Sequence, residues 1–203
     1  MTADLTTVPT YLETLDQAAA AFWGESNDRP AAPKVVNALV QAEKMAKQQR
    51  LTYEFAALLG RWRLCFTAPR KAHQQGDRIV GKGFYVPKIA PAQISFHATD
   101  PATHQGNIGN QIQLGALRLK FTGPCRYISK KNLLAFDFTQ LQLSLFDRVL
   151  IDRPVRSGKA PAGTFEQQAI AKLPFFAFFL VTENFIAARG RGGGLALWIR
   201  ERE

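Results

Sequence analysis

The spacing of apolar residues changes at Gly60, and that change decides what this chain can fold into. Beyond it, Trp62, Leu64 and Phe66 alternate with Arg61, Arg63 and Cys65. Leu117, Leu119 and Phe121 alternate with Arg118, Lys120 and Thr122, and Leu134, Phe136 and Phe138 with Ala135, Asp137 and Thr139. A period of two places successive side chains on opposite faces of a strand, so each segment has one face to bury. From Leu141 the apolar phase slips by one, through Leu143 and Leu145. A slip sends side chains to the other face unless a bulge or turn absorbs it, and we expect one near Thr139 or Gln140. Further strands are expected over Phe175–Val181, Phe185–Ala188 and Leu195–Arg200, with Gly190–Gly194 as the hairpin connection between the last two. About seven to nine short strands joined by Gly/Pro/Asn-rich turns predict an antiparallel barrel or sandwich. Residues 68–78 and 152–164 read as loops.

Before Gly60 the spacing is helical. Leu12, Leu15, Ala18, Ala19 and Phe22 recur on one face after Thr10 and Glu13, which have capping-box spacing. Gly24 ends that helix. A second begins near Pro33 and carries Val35, Val36, Leu39, Val40 and Met45, with Lys44, Lys47 and Arg50 towards its end, where cations complement the helix dipole. A short third is expected over Tyr53–Leu59. The chain therefore divides into a helical segment, 1–59, packing on or near the barrel, and a β-barrel domain, 60–203.

Charge follows the same division. The first 59 residues carry five basic and seven acidic side chains; the rest carry 21 and nine. A basic field of this kind attracts anionic lipid, nucleic acid or an acidic protein. Binding single-stranded nucleic acid calls for exposed aromatics among the cations. Here the aromatics alternate onto the opposite face, so no nucleic-acid partner is expected. Arg61, Arg63, Arg118 and Lys120 share the polar parity of their strands and form a candidate membrane-facing patch. The longest apolar run, Leu173–Val181, is nine residues and contains Pro174, whereas a membrane-spanning helix needs about 20. Met1–Thr10 lacks a signal-peptide pattern, so the protein is expected to be soluble or peripheral.

Catalytic and metal signatures are sparse. His73, His97 and His104 have no zinc-type spacing with another ligand. Cys65 and Cys125 are 60 residues apart in strand-like segments, the setting of small buried hydrophobes, although a redox pairing between them stays open. Gly190–Leu195 lacks the G-K-[ST] ending of a phosphate loop. No catalytic residue, metal or cofactor is assigned, and the chain is not expected to be an enzyme.

The segment Leu58–Thr67, LLGRWRLCFT, resembles the L-x-G-x-W-x-L-x-[YF]-T opening of the plastid lipid-associated proteins, or fibrillins. Glu183–Leu195, ENFIAARGRGGGL, resembles that family's closing signature, E-D-L-R-I-[SA]-R-G-x-x-G-x-L. Leu117–Pro124 is a further, shorter match. Arg189 and Gly190 are retained, whereas Ile186 stands where the family has its first arginine. The resemblance implies a lipocalin-like (calycin) barrel preceded by a short helical segment. It also implies a cyanobacterial rather than a plant member, since no transit peptide is evident. With it comes an expected role at the cytoplasmic side of thylakoid membranes: binding a prenylquinone, carotenoid or fatty acid, in photoprotection or in membrane lipid and quinone homeostasis.

Gly60 and Trp62 are then expected at the barrel floor, where such a tryptophan stacks on an arginine from a late strand; Arg189 and Arg200 are the candidates. The inward faces carry Leu64, Phe66, Leu119, Phe121, Phe136 and Phe138 as candidate ligand-binding residues. A small barrel holds one small ligand or is filled by its own side chains. If filled, the alternative is an interaction protein that docks a photosynthetic or prenylquinone-synthesising membrane complex.

Overall fold

The computed structural model describes residues 9–69, 72–75, 78–100, 104–155 and 165–202. Three helices come first: α1 (Thr10–Trp23), α2 (Ala32–Gln49) and α3 (Phe55–Leu58). The strands follow as β1 (Gly60–Ala68), β2 (His73–Gln75), β3 (Arg78–Val80), β4 (Phe84–Tyr85), β5 (Ala92–Asp100), β6 (Gln105–Leu114) and β7 (Leu117–Ile128). Then come β8 (Leu133–Phe136), β9 (Gln140–Leu145), β10 (Arg148–Pro154), β11 (Phe175–Val181), β12 (Phe185–Gly190) and β13 (Leu195–Arg200).

Gly24 ends α1 in the left-handed conformation (φ 85°), its N–H and that of Glu25 capping the last carbonyls. The capping box does not form. Thr10 is already helical, Pro9 occupies the cap, and the Thr10 carbonyl accepts the Thr14 hydroxyl.

Eight strands close into an antiparallel barrel in the order β7-β6-β5-β1-β13-β12-β11-β8, with β8 returning to β7. The closure depends on a fork. The first half of β7, Leu117–Thr122, pairs with β9; the second half, Cys125–Ile128, pairs with β8. The chain crosses between them at Asp137–Thr139, with the Asp137 N–H donating to the Pro124 carbonyl and the Thr139 N–H to the Thr122 carbonyl. This crossing absorbs the phase slip expected near Thr139. It returns Leu141 and Leu143 to the face of Phe121 and Leu119. A Cβ at Gly123 would collide with the Asp137 carbonyl oxygen, so the fork requires glycine there. β9 and β10 extend from it as a wing beyond the closed barrel.

Two apolar clusters result. The inner one holds Trp62, Ile94, Phe96, Ile108, Leu134, Phe136, Phe178, Ile186 and Trp198, with Phe55 and Leu58 of α3 closing one end. The outer one packs α1 and α2 against the far side of β1, β13, β12 and β11, through residues such as Leu15, Phe22, Val36, Leu39, Cys65, Leu197 and Ile199. The two long helices therefore cover the wall rather than the mouth. No helix among the described residues is long and apolar enough to cross a membrane.

Two expected loops are partly strand. Within 68–78 the described residues include β2, which pairs with β3. Within 152–164, residues Asp152–Pro154 complete β10, and 156–164 lie outside the described residues. The Gly190–Gly194 hairpin forms as expected, with Gly193 at φ 86°.

Candidate functional site

The barrel interior is aromatic, and its rings form a connected file. Phe96 meets Phe178 (6.0 Å between centroids), Phe178 meets Phe176 (6.3 Å), and Phe176 meets Phe136 (5.1 Å). Phe136 meets Phe138 (5.1 Å), and Phe138 meets Phe121 (5.7 Å). The file starts in fully buried space at Phe96 and emerges at half-buried Phe121, where β7 leaves the closed barrel. There it borders a recess of about 420 Å³ lined by Phe121, Leu141, Arg153, Pro154 and Val155. That volume lies within the range of small-molecule sites.

The six expected interior residues therefore divide. Phe136, Phe138 and Leu64 belong to the inner cluster. Leu119 and Phe121 carry the same face beyond the fork, opposite Leu143 and Leu141. Phe66 does not point inward. The register of β1 shifts between Leu64 and Phe66, so Leu64 pairs with Trp198 whereas Phe66 pairs with Leu197. A bulge of this kind turns the following side chain to the other face. Phe66 is consequently buried under α2, beside Val36.

At the opposite end Arg200 stacks on Trp62, with its guanidinium carbon 4.1 Å from a ring centroid. The indole Nε1–H donates to the Leu58 carbonyl at 2.8 Å, and the Arg200 Nη1 donates to the Leu59 carbonyl. Gly60 makes room for this: its φ is 117°, and a Cβ would lie 3.1 Å from the Arg200 Nη1. Arg189 is not part of the floor. It lies on the outer side of β12, where its Nε donates to Glu43 of α2 at 2.9 Å and its Nη1 to the Gly193 carbonyl at 2.6 Å. Burial would raise the Glu43 pKa, but hydrogen bonds from Arg189 and Lys47 and their positive charges outweigh it and hold the carboxyl below its ordinary value.

The basic patch assembles in part. Arg61 faces Ser95, and β6 and β7 continue that outer face through Gly109, Gln111 and Lys120. These residues, with Arg118 and Arg200, line a groove of about 790 Å³. Arg61 and Lys120 are exposed. Arg118 pairs with Asp147 at 2.9 Å. Arg63 is withdrawn: its side chain is only 16% exposed and turns to Glu201 and to the Lys88 carbonyl. Burial lowers the Arg63 pKa, partly countered by Glu201.

Sequence reasoning missed Asn132, which joins the helical segment to the β7–β8 turn. Its Oδ1 accepts the Tyr53 N–H (2.9 Å) and its Nδ2 donates to the Leu51 carbonyl (2.6 Å). An Asn after Lys-Lys signals a left-handed turn, but nothing in its spacing names a partner 79 residues away.

Cys65 and Cys125 are free and buried in different clusters, Cys65 under the helices and Cys125 inside the barrel. Burial pushes each thiol up to about 12. Among the described residues, no group of three His, Cys, Asp or Glu side chains is arranged to hold a metal ion.

Comparison with protein-family models, with curated proteins and with solved structures finds no match. The functional reading therefore rests on the residues and their geometry.

Proposed function

We propose that this chain is a non-enzymatic, lipid- or isoprenoid-binding barrel protein of the fibrillin type that associates peripherally with an anionic membrane. One observation carries the reading: the file of rings from Phe96 to Phe121 leads out of the barrel into an open apolar recess at the fork. An acyl or prenyl chain suits that path, because each buried methylene contributes about 0.8 kcal/mol, while Arg153 at the recess is the one charged side chain of its lining and could meet a polar head. The complete burial of Phe96, Trp62 and Ile108 shifts the proposed ligand from the deep interior to the mouth. The basic outer groove adds an electrostatic component, about 1 kcal/mol for each cation near an anionic surface. The sequence resemblance extends this reading to the cytoplasmic side of a cyanobacterial thylakoid membrane, to a prenylquinone, carotenoid or fatty acid, and to photoprotection or quinone homeostasis.

Organic extraction and native mass spectrometry of the purified protein test the carrier role. The expected result is one apolar molecule per chain, displaced when Phe121→Arg replaces the ring with a second cation beside Arg153. The same packed lower interior favours the second reading, a filled barrel that docks a membrane-associated protein partner. Protein that carries no apolar molecule and takes up none from added prenylquinone would overturn the carrier role and leave that reading standing.

A further inference from the structure

The basic groove and the apolar recess lie on opposite faces of one sheet, so a flat membrane cannot meet both faces broadside. They converge at one end. The register places Leu114 beside Leu117, Leu117 beside Leu145, and Leu145 beside Arg148. The β6–β7 and β9–β10 turns are thus neighbours, and the Phe146 N–H donates to the Ala116 carbonyl at 3.0 Å. This double tip concentrates exposed apolar side chains: Phe146 is 77% exposed, Leu150 59%, Leu114 58% and Val149 52%. Scattered exposed apolar residues are ordinary, but a contiguous group marks an interaction surface.

The turn itself carries a second, independent sign. Phe146 and Asp147 both have left-handed backbones, with φ of 47° and 62°. Glycine and asparagine adopt that conformation readily in a two-residue hairpin, whereas a bulky side chain is strained there. A phenylalanine that strains the turn and leaves most of its ring in solvent adds little to the fold. Its value must lie in what it touches outside the chain.

We propose that this double tip is a membrane-insertion device: Phe146, Leu114 and Leu150 enter the interface of an anionic bilayer, while Lys120 and Arg148 lie at the level of the lipid phosphates and Arg118 offsets the charge of Asp147 in the turn. The proposal rests on the membrane-associated reading above and names the surface that would perform it. Apolar residues with a fringe of cations suit a headgroup–acyl boundary. A second copy of the chain is a poorer occupant, because it would bring Lys120 and Arg148 against their own counterparts with a single carboxylate, Asp147, already engaged by Arg118.

Sedimentation with vesicles at low salt tests it, using phosphatidylglycerol–phosphatidylcholine mixtures against phosphatidylcholine alone. The Phe146→Asn variant relieves the turn, so it should keep or raise Tm while losing about tenfold in affinity for the anionic vesicles. Because Cys65 and Cys125 are buried, the thiol created by Phe146→Cys can be labelled alone with an environment-sensitive fluorophore. Its emission should shift to the blue on the anionic vesicles. Unchanged binding by Phe146→Asn, or an unshifted label, overturns insertion and leaves a purely electrostatic association standing. A wild-type protein that binds neither vesicle overturns both insertion and the membrane half of the proposed function. A wild-type dimer that Phe146→Asn converts to monomer, with vesicle binding unchanged, would assign the tip to a second copy and overturn the proposal.

Discussion

Arg189 on β12 and Glu43 on α2 form a charge-assisted clamp between the barrel wall and the helix that covers it, with the guanidinium Nε 2.9 Å from one carboxylate oxygen. The clamp fixes where α2 lies on a face otherwise held by non-directional apolar packing. Both side chains are mostly buried, at 22% and 11% exposure, so removing one strands the other. Glu43→Gln should destabilise the protein by about 2–3 kcal/mol, somewhat less than a fully buried pair would lose. Denaturant unfolding followed through helix and tryptophan signals measures this.

The same pair predicts an acid limb. The Glu43 carboxyl is held below its ordinary value in the folded state. Its contribution is therefore fully present above the unfolded value of about 4.3 and is lost as pH falls through the folded one. The Tm difference between wild type and Glu43→Gln should hold from pH 7 to pH 5 and shrink below about pH 4. A difference that stays constant to pH 3 would show that the charge on Glu43 does not matter.

Trp62 and Arg200 make unequal contributions to the floor. Trp62 is fully buried, and truncating it to Ala should cost about 3–5 kcal/mol. Arg200→Ala removes a stack on that ring and should cost about 0.5–2 kcal/mol. Equal losses from the two variants, in paired thermal melts, would contradict this ordering.

The extent to which this arrangement is legible in the sequence depends on how many faces a strand buries. β7 alternates in sequence because one face is apolar, and its role can be read directly. β12 is covered on both sides, so Phe185, Ile186, Ala187 and Ala188 are all buried and parity says nothing. That is why Arg189 and Arg200 are equal candidates for Trp62 until the register pairs Trp62 with Arg200. Phe66 misleads for another reason: the bulge after Leu64 reverses its face while leaving the alternation intact. β10 is exposed along its whole length, so no buried stripe marks it. The fork is half legible. The slip at Thr139 announces a break, but not that two strands share one partner.

Cys65 and Cys125 should behave as core residues. With thiols at about 12, the thiolate fraction at pH 8 is on the order of 0.01%. Ellman's reagent should modify neither in the native protein and both in guanidinium chloride. Because the two thiols sit in different clusters, on the two faces of the barrel wall, oxidants should not join them within a folded chain. A native disulfide found by mass spectrometry would refute this placement.

Gly123 should prove the least replaceable glycine of the wall. It sits where β7 changes partner, and a Cβ there meets the Asp137 carbonyl and lies 2.9 Å from the Thr139 nitrogen. Both are backbone atoms of the crossing, so neither can swing aside as a side chain would. Gly123→Ala must either push the crossing away or break its hydrogen bonds to Pro124 and Thr122, at a cost of about 3 kcal/mol. Gly192→Ala is the control, since a Cβ there meets nothing within 4 Å. If the fork shapes the mouth, Gly123→Ala should also weaken uptake of an apolar probe under conditions where the variant is still folded. Loss of stability with unchanged uptake would separate the fork from the recess beside it.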